Sequence, residues 1–286
     1  MFLANEAISP TTRKTYMKCL SRYKKFAKSR SINHKLPISD KDLSCFIYFM
    51  YDKQNLSFST ISSNVSALSY HHKINNMPDP TKTFLIKQIL IAIKKHRPVK
   101  DKRVAVTELI LKKIIQKLKT PYFTIYEHYL FKCIFIFQFL FALRIGEVTD
   151  TKHNLLFQNV SLKKSSVSLS FVSFKHSTEP ITLKCKANNS PLCPVTALRK
   201  YLSHRGNRFG PLFMLHKKPL SQRFYNKKLS TITKSLQIQH IKSHSFRIGA
   251  ATRWAQLGIS EDEIKRRGRW SSDAFTLYIR GAISVG

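Results

Sequence analysis

Four stretches in the first hundred residues place apolar side chains at three- and four-residue spacing, the period of an amphipathic helix. Between residues 9 and 31, Tyr16, Leu20, Tyr23 and Phe26 share one face, while Arg13, Lys14, Arg22, Lys24 and Lys25 fill the others. Ser9-Pro10-Thr11 is the start signal for that helix. A second helix begins near Ser39-Asp40 and runs through Leu43, Phe46, Ile47 and Phe49-Met50. A third, over about 59–73, turns Ile61, Val65 and Leu68 inward; a fourth, over about 81–96, uses Phe84, Leu85, Ile89, Leu90 and Ile93. Four such helices with short connections predict a small all-α bundle. Arg97 to Arg103 is polar, basic and interrupted by Pro98, which reads as a linker. The expected division is a helical domain over 1–96, a linker over 97–106 and a second domain over 107–286.

The second part starts helical and then changes period. Thr107 caps a helix carrying Leu109, Ile110, Ile114, Ile115 and Leu118, and Pro121 precedes a longer one expected to reach Leu143. After Gly146, residues 160–162, 166–174 and 181–185 are β-branched or alternating and separated by polar turns, predicting a small antiparallel sheet. Helices resume at Pro194, around 222–236 and around 245–257. Ser260 and Glu263 have the spacing of a capping box for the next, and a last helix is expected over about 272–280. The fold class is therefore mostly α: a four-helix bundle followed by an α+β domain with one small antiparallel sheet.

Charge narrows the partner. The chain has 286 residues with 50 Lys and Arg against 15 Asp and Glu, a formal net charge of +35. Residues 1–100 hold 18 of those bases and 5 of the acids, so both parts are basic rather than one tail. An excess of this kind points to a polyanion, because phosphate contacts release counterions and dominate affinity. Arg13, Lys14, Lys24, Lys25, Lys94, Lys95, Arg97, Lys102 and Arg103 are the candidate phosphate-contacting positions. The five cysteines are widely spaced with no CxxC pair, which speaks against a disulfide framework or a zinc site. No HExxH occurs, and the His71-His72 pair is expected on a helix surface. The apolar run from Leu130 to Leu143 contains Lys132 and Gln138 and is short for a membrane span, so it is expected as a buried helix. The N-terminus has no signal-peptide pattern.

The candidate chemistry lies mainly between Phe141 and Tyr278. A phosphodiester resists attack because it is anionic and its leaving alkoxide is poor; a protein must neutralise the developing charge and handle protons. Guanidiniums suit the first task, being planar, permanently charged and able to grip two oxygens. Arg144, in FALRIGEV, and Arg247, in HSFRIGAATRW, are the candidates. His244 lies three positions before Arg247, so one helix would present both on the same side. Taken singly, an arginine on a helix or a tyrosine near the end of a chain is ordinary. The order is not: a long apolar helix into LRIGE, a sheet, His-Ser-Phe-Arg-Ile-Gly, Gly268-Arg269-Trp270, then Tyr278-Ile279-Arg280.

That ordered set resembles the tyrosine recombinases, the phage integrase family. The wording of HSFRIGAATRWAQLG and GRWSSDAFTLYIR is most like the recombinases of eukaryotic crypton and DIRS-like mobile elements. The resemblance implies an N-terminal SAM-like core-binding bundle and a catalytic domain. It implies that Arg144 and Arg247 clamp the phosphate, that Glu147 orients the site, and that His244 handles protons. Lys175, in FVSFKHS, would be the general acid to the departing 5′-oxygen, with Lys163, Lys164 and Lys184 as rivals. Trp270 would donate to a phosphate oxygen or buttress the tyrosine, and Tyr278 would be the nucleophile of a 3′-phosphotyrosyl link. Tyr278 follows Trp270 by eight positions where many members have nine, and the few residues beyond it are short for the segment members send to a neighbouring subunit. The implied protein is a site-specific recombinase or integrase acting on double-stranded DNA as a homotetramer on two sites, with no cofactor, metal or membrane. It would be nuclear for a eukaryotic mobile element and cytoplasmic for a bacterial or phage source. A type IB topoisomerase, and an inactive DNA-binding descendant of a recombinase, are the alternatives.

Overall fold

Small hydroxyl side chains start most of the helices. Ser9, Ser39, Ser57, Thr107, Thr124, Ser221 and Ser260 each accept a hydrogen bond from a first-turn amide that has no partner inside its helix. The computed structural model describes residues 6–98, 101–172, 179–206 and 209–279, apart from the side chain of Ala274. The chain divides into two compact units, residues 1–101 and 102–286.

The first unit holds α1 (Pro10–Ser29), α2 (Asp40–Tyr48), α3 (Phe58–Ile74) and α4 (Phe84–His96). A π-helical turn, Phe49–Lys53, continues α2 and keeps Met50 buried. Aromatic packing ties α1 to α2: the Tyr23 ring meets Phe46 edge-on at 5.4 Å, and Phe26 lies 5.2 Å from Phe46. The apolar face of α4 differs from the expected one. A 3-10 turn, Pro80–Lys82, precedes it, and Ile86 and Ile93, two turns apart, face the core. Phe84 is 77% exposed and Leu85 is also exposed. With apolar residues at most positions from 84 to 91, the pattern fits several faces, and only packing selects one. His72 also departs from expectation, being fully buried. It donates from Nδ1 to the Leu68 carbonyl at 2.7 Å and accepts at Nε2 from the Ile38 amide at 2.9 Å, satisfying a buried donor.

The second unit is organised around α6. Its helices are α5 (Glu108–Lys117), α6 (Ile125–Leu140), α7 (Ile145–Val148), α8 (Pro194–Arg205), α9 (Gln222–Ser235), α10 (Ser245–Gln256) and α11 (Glu261–Gly268). Strands β1 (Val160–Leu162), β2 (Ser166–Phe171) and β3 (Ile181–Lys186) form an antiparallel meander, with Val160 opposite Leu169 and Val167 opposite Cys185. The residues expected to extend β2 past Val172 lie outside the described ones. A two-stranded hairpin of β4 (Met214–Leu215) and β5 (Lys218–Pro219), too short to leave a pattern, lies between α8 and α9. Every residue of α6 from Cys133 to Phe139 is buried, so the helix is enclosed on all sides there, as the apolar stretch predicts. Its one interior amide, Gln138, accepts from the Tyr225 hydroxyl at 2.6 Å. Among the described residues no helix is long and apolar enough to cross a membrane.

Three local details differ from the sequence pattern. α6 stops at Leu140 rather than Leu143, and Ala142 takes a left-handed φ of 46°. Ser260 caps α11 as expected, but the Glu263 carboxylate accepts from Arg266 and Arg267 instead of reaching back to the cap. The last element among the described residues is a 3-10 turn, Asp273–Tyr278, rather than a longer helix. The segment before α5 is also tied down from Val104 onward, because Val104 and Val106 donate to the carbonyls of His240 and Ser245. Gly249 on α10 permits this approach, since a Cβ there would lie 1.9 Å from the Val106 carbonyl oxygen.

That contact is between backbones and cannot be relieved by a rotamer change. Gly249→Ala is expected to destabilise the second unit by about 1–3 kcal/mol, read as a lower Tm in thermal denaturation. Gly206→Ala, at a glycine with open space around it, provides the comparison for a cost that comes from positive φ alone.

Candidate active site

The end of α6 builds the site. The last carbonyls of a helix have no amide partner and carry the negative end of its dipole. The left-handed turn at Ala142 presents the carbonyl oxygens of Phe141 and Ala142 to two buried guanidiniums. Arg247, from α10, donates Nη1 to Ala142 and Nη2 to the Gly268 carbonyl at 2.8 Å. Arg269 donates Nη1 to Phe141 and Nη2 to Ala142, each at 3.2 Å. Neither Arg247 nor Arg269 has a hydrogen-bond partner for its buried Nε among the described residues.

Arg144 begins the next helix and is partly exposed. Its backbone amide donates to Oε2 of Glu147 at 2.8 Å, and its Nη1 lies 3.2 Å from Oε1 of the same carboxylate. Glu147 also accepts from Nη2 of Arg269 at 2.8 Å. Burial alone would push the Glu147 carboxyl up, but the charges of Arg269 and Arg144, with the Arg144 amide, hold it below the ordinary glutamate range. The same burial, followed by the mutual repulsion of Arg247, Arg144 and Arg269, weakens the hold of Arg247 on its proton, and Glu147 and Tyr278 oppose that. One carboxylate and the carbonyls of Phe141, Ala142 and Gly268 thus hold three cations together.

The aromatic wall stands over this cluster. Gly268 leaves room for Trp270, whose ring atoms lie 1.5 Å from where a Cβ would be. The indole covers Arg247, with Cζ 4.5 Å from the ring. Tyr278 sits 4.8 Å from His244 in an edge-on contact and 5.9 Å from Trp270. Its carbonyl accepts from the Thr252 hydroxyl at 3.0 Å, which pins the turn to α10. Arg144, His244, Arg247, Arg269, Trp270 and Tyr278 line one cavity of about 490 Å³ with Ser243, Ser271 and Ser272. No group of His, Cys, Asp or Glu among the described residues could hold a metal ion.

The sequence itself matches the phage integrase family over residues 106–280. The chain belongs to the phage integrase family. Members of this family are tyrosine recombinases, which are DNA strand transferases. Three solved structures share the fold of this integrase-family chain. XerH site-specific recombinase bound to palindromic difH substrate is 14% identical, with 93% of this chain and 75% of that one covered at a TM-score of 0.69. The Tn1549 transposon integrase with transposon right end DNA is 14% identical, covering 95% and 89% at 0.64. A lambda integrase dimer bound to a COC′ core site is 15% identical, covering 100% and 76% at 0.65. No curated protein matches the sequence significantly.

Of the residues singled out in this integrase-family sequence, Arg144, Glu147, His244, Arg247, Trp270 and Tyr278 come together around the cavity. Lys175 lies outside the described residues; its rivals Lys163 and Lys164, between β1 and β2, and Lys184, on β3, are exposed. Lys24, Lys25, Lys94, Lys95 and Lys102 are exposed, as a phosphate contact requires, and so is Lys14. Arg13 pairs with Glu6 at 3.0 Å. Arg97 is turned into its own unit, donating to the Leu56 carbonyl at 3.0 Å and lying 4.0 Å over the Tyr51 ring. Arg103 lies 6.0 Å over the Tyr278 ring. Arg269 was missed, because in RRGRW it looks like one more basic surface residue and nothing local marks it as buried.

The sign of the Glu147 shift sets a pH dependence. A carboxyl with a depressed folded-state pKa stabilises fully above its unfolded value of about 4.3 and ceases to do so as pH falls through the folded value. Glu147→Gln is expected to cost about 3 kcal/mol or more at pH 7 in urea unfolding. It is also expected to remove part of the acid-induced loss of stability that the wild type shows below pH ~4.3.

Proposed function

We propose that the chain is a site-specific recombinase that cuts and rejoins double-stranded DNA through a 3′-phosphotyrosyl link on Tyr278. The observation that carries this reading is the cavity, where guanidiniums, an imidazole, an indole and a phenol from separate elements face one volume. A DNA phosphate seated there meets Arg144, whose guanidinium is partly exposed, beside the buried guanidinium of Arg247 that lines the same cavity. These charges stabilise the phosphorane as negative charge builds on its oxygens. His244, beside the Tyr278 ring, takes the phenol proton as the oxygen attacks phosphorus. Trp270 screens Arg247 from water and buttresses Tyr278. Lys175 donates the proton that the departing 5′-oxygen needs.

The attack exchanges one phosphate ester for another, so the bond energy is kept and the step consumes no nucleotide. The 5′-hydroxyl of a partner strand then attacks the phosphotyrosine, releasing Tyr278 and joining the new strand. Exchange between two duplexes requires four such tyrosines and hence four protomers. DNA as the partner is supported by the net charge of +35 and by the DNA complexes named for XerH, the Tn1549 integrase and lambda integrase. The wording around His244 and Tyr278 supports a crypton- or DIRS-like mobile element as the source, with the nucleus as its place of action.

The test is covalent trapping. Protein is incubated with a duplex library of randomised core sequence, nicked so that the released strand diffuses away, and SDS-stable adducts are counted. Wild type is expected to form a 3′-linked adduct and Tyr278→Phe none; Arg144→Ala is expected to slow its formation by roughly 10²–10³-fold. An adduct of equal yield from Tyr278→Phe would sink the assignment. Relaxation of supercoiled plasmid by monomers without strand exchange would replace it with the topoisomerase reading.

A further inference from the structure

We propose that Arg269 is a positioning residue for the reaction, acting by holding Arg144 in register for the phosphate. The inference rests on the recombinase reading for its consequence but on separate geometry for its mechanism. Arg269 is 2% exposed, with its side chain fully buried. It adopts a left-handed backbone, φ 56° and ψ 49°, at the end of α11, a conformation costly for a residue with a Cβ. That turn aims its carbonyl oxygen back at the site, where it accepts from Nη2 of Arg144 at 2.7 Å. A bulky residue at such a position must be held there by its surroundings.

The side chain of Arg269 supplies the hold. Its two terminal nitrogens reach Phe141, Ala142 and Glu147, and its guanidinium lies 4.1 Å over the Phe171 ring at the end of β2. The result is a closed loop: the Arg269 carbonyl to Arg144, Arg144 to Oε1 of Glu147, and Oε2 of Glu147 to the Arg269 guanidinium. Arg144 is thereby fixed on two sides while part of its guanidinium faces the cavity. Lysine keeps the charge at 269 but has one nitrogen where the guanidinium uses two, one on Phe141 and one on Ala142 and Glu147. The Arg269 side chain is fully buried and its terminal nitrogens are taken by Phe141, Ala142 and Glu147, so it acts through Arg144.

The test separates positioning from folding and from the recombinase reading. R269M and R269K are compared with wild type in single-turnover cleavage of the duplex that wild type is found to cleave, alongside Kd for that duplex. Cleavage is expected to slow by about 10²-fold in R269M, with Kd within about twofold, and the double variant R144A/R269M is expected to be no slower than R144A. Guanidinium proton exchange of Arg144, its NMR signals identified by their loss in R144K, is expected to be slow in wild type and near solvent rates in R269M. If R269M does not fold, R269K is read in its place. Unchanged Arg144 exchange, or losses that multiply in the double variant, would overturn the proposal. Freed exchange in R269M together with no adduct from wild type would sink the recombinase reading and leave the coupling of Arg269 to Arg144 standing.

Discussion

Three arginine side chains and one glutamate meet at the broken end of a buried apolar helix, and the second unit is arranged to make that tolerable. Like charges at this spacing repel strongly once water is excluded. They are held by the Glu147 carboxylate and by the carbonyls of Phe141, Ala142 and Gly268. Because α6 stops at Leu140 and Ala142 turns left-handed, the carbonyls of Phe141 and Ala142 point at the cations rather than into a continuing helix. The apolar body of α6 holds them against α8 and α10, which links the largest core in the molecule to its most polar cluster.

The compromise has a functional sense. A cluster balanced by one carboxylate keeps a net positive charge, so it favours an incoming anion. It also needs little rearrangement when one arrives, since the guanidiniums are already hydrogen-bonded in place. The aromatic wall of Trp270 and Tyr278 limits water on one side, which strengthens each of these interactions. Stability and anion affinity therefore oppose each other in the same few residues, as is common where a site is built before its ligand binds.

Much of the fold was legible from local pattern. Hydroxyl caps, the apolar period of α1 and α3, the alternation of β2 and the proline opening α8 are all near-neighbour effects, and α1 and α3 lie close to their expected bounds. The misreadings share a cause. The face of α4 was ambiguous because too many positions are apolar, the burial of His72 depends on an amide thirty-four positions away, and β4–β5 is too short to leave a pattern. The site was legible to the extent that its residue types stand in a recognisable order.

By itself, then, the sequence determined most of the helices and the three-stranded sheet, a strongly cationic chain and the chemical identity of six residues that meet at the cavity. The elements follow from interactions between residues a few positions apart, the charge from composition, and the six residues from an ordered set that resembles the family. Only the tertiary structure decided that α6 ends early to bare its carbonyls, that Arg97 turns inward and that Arg269 is buried with its carbonyl on Arg144. Each of these is settled by partners contributed from distant segments, and burial of a charge depends on the whole surrounding shell rather than on the neighbours in the chain.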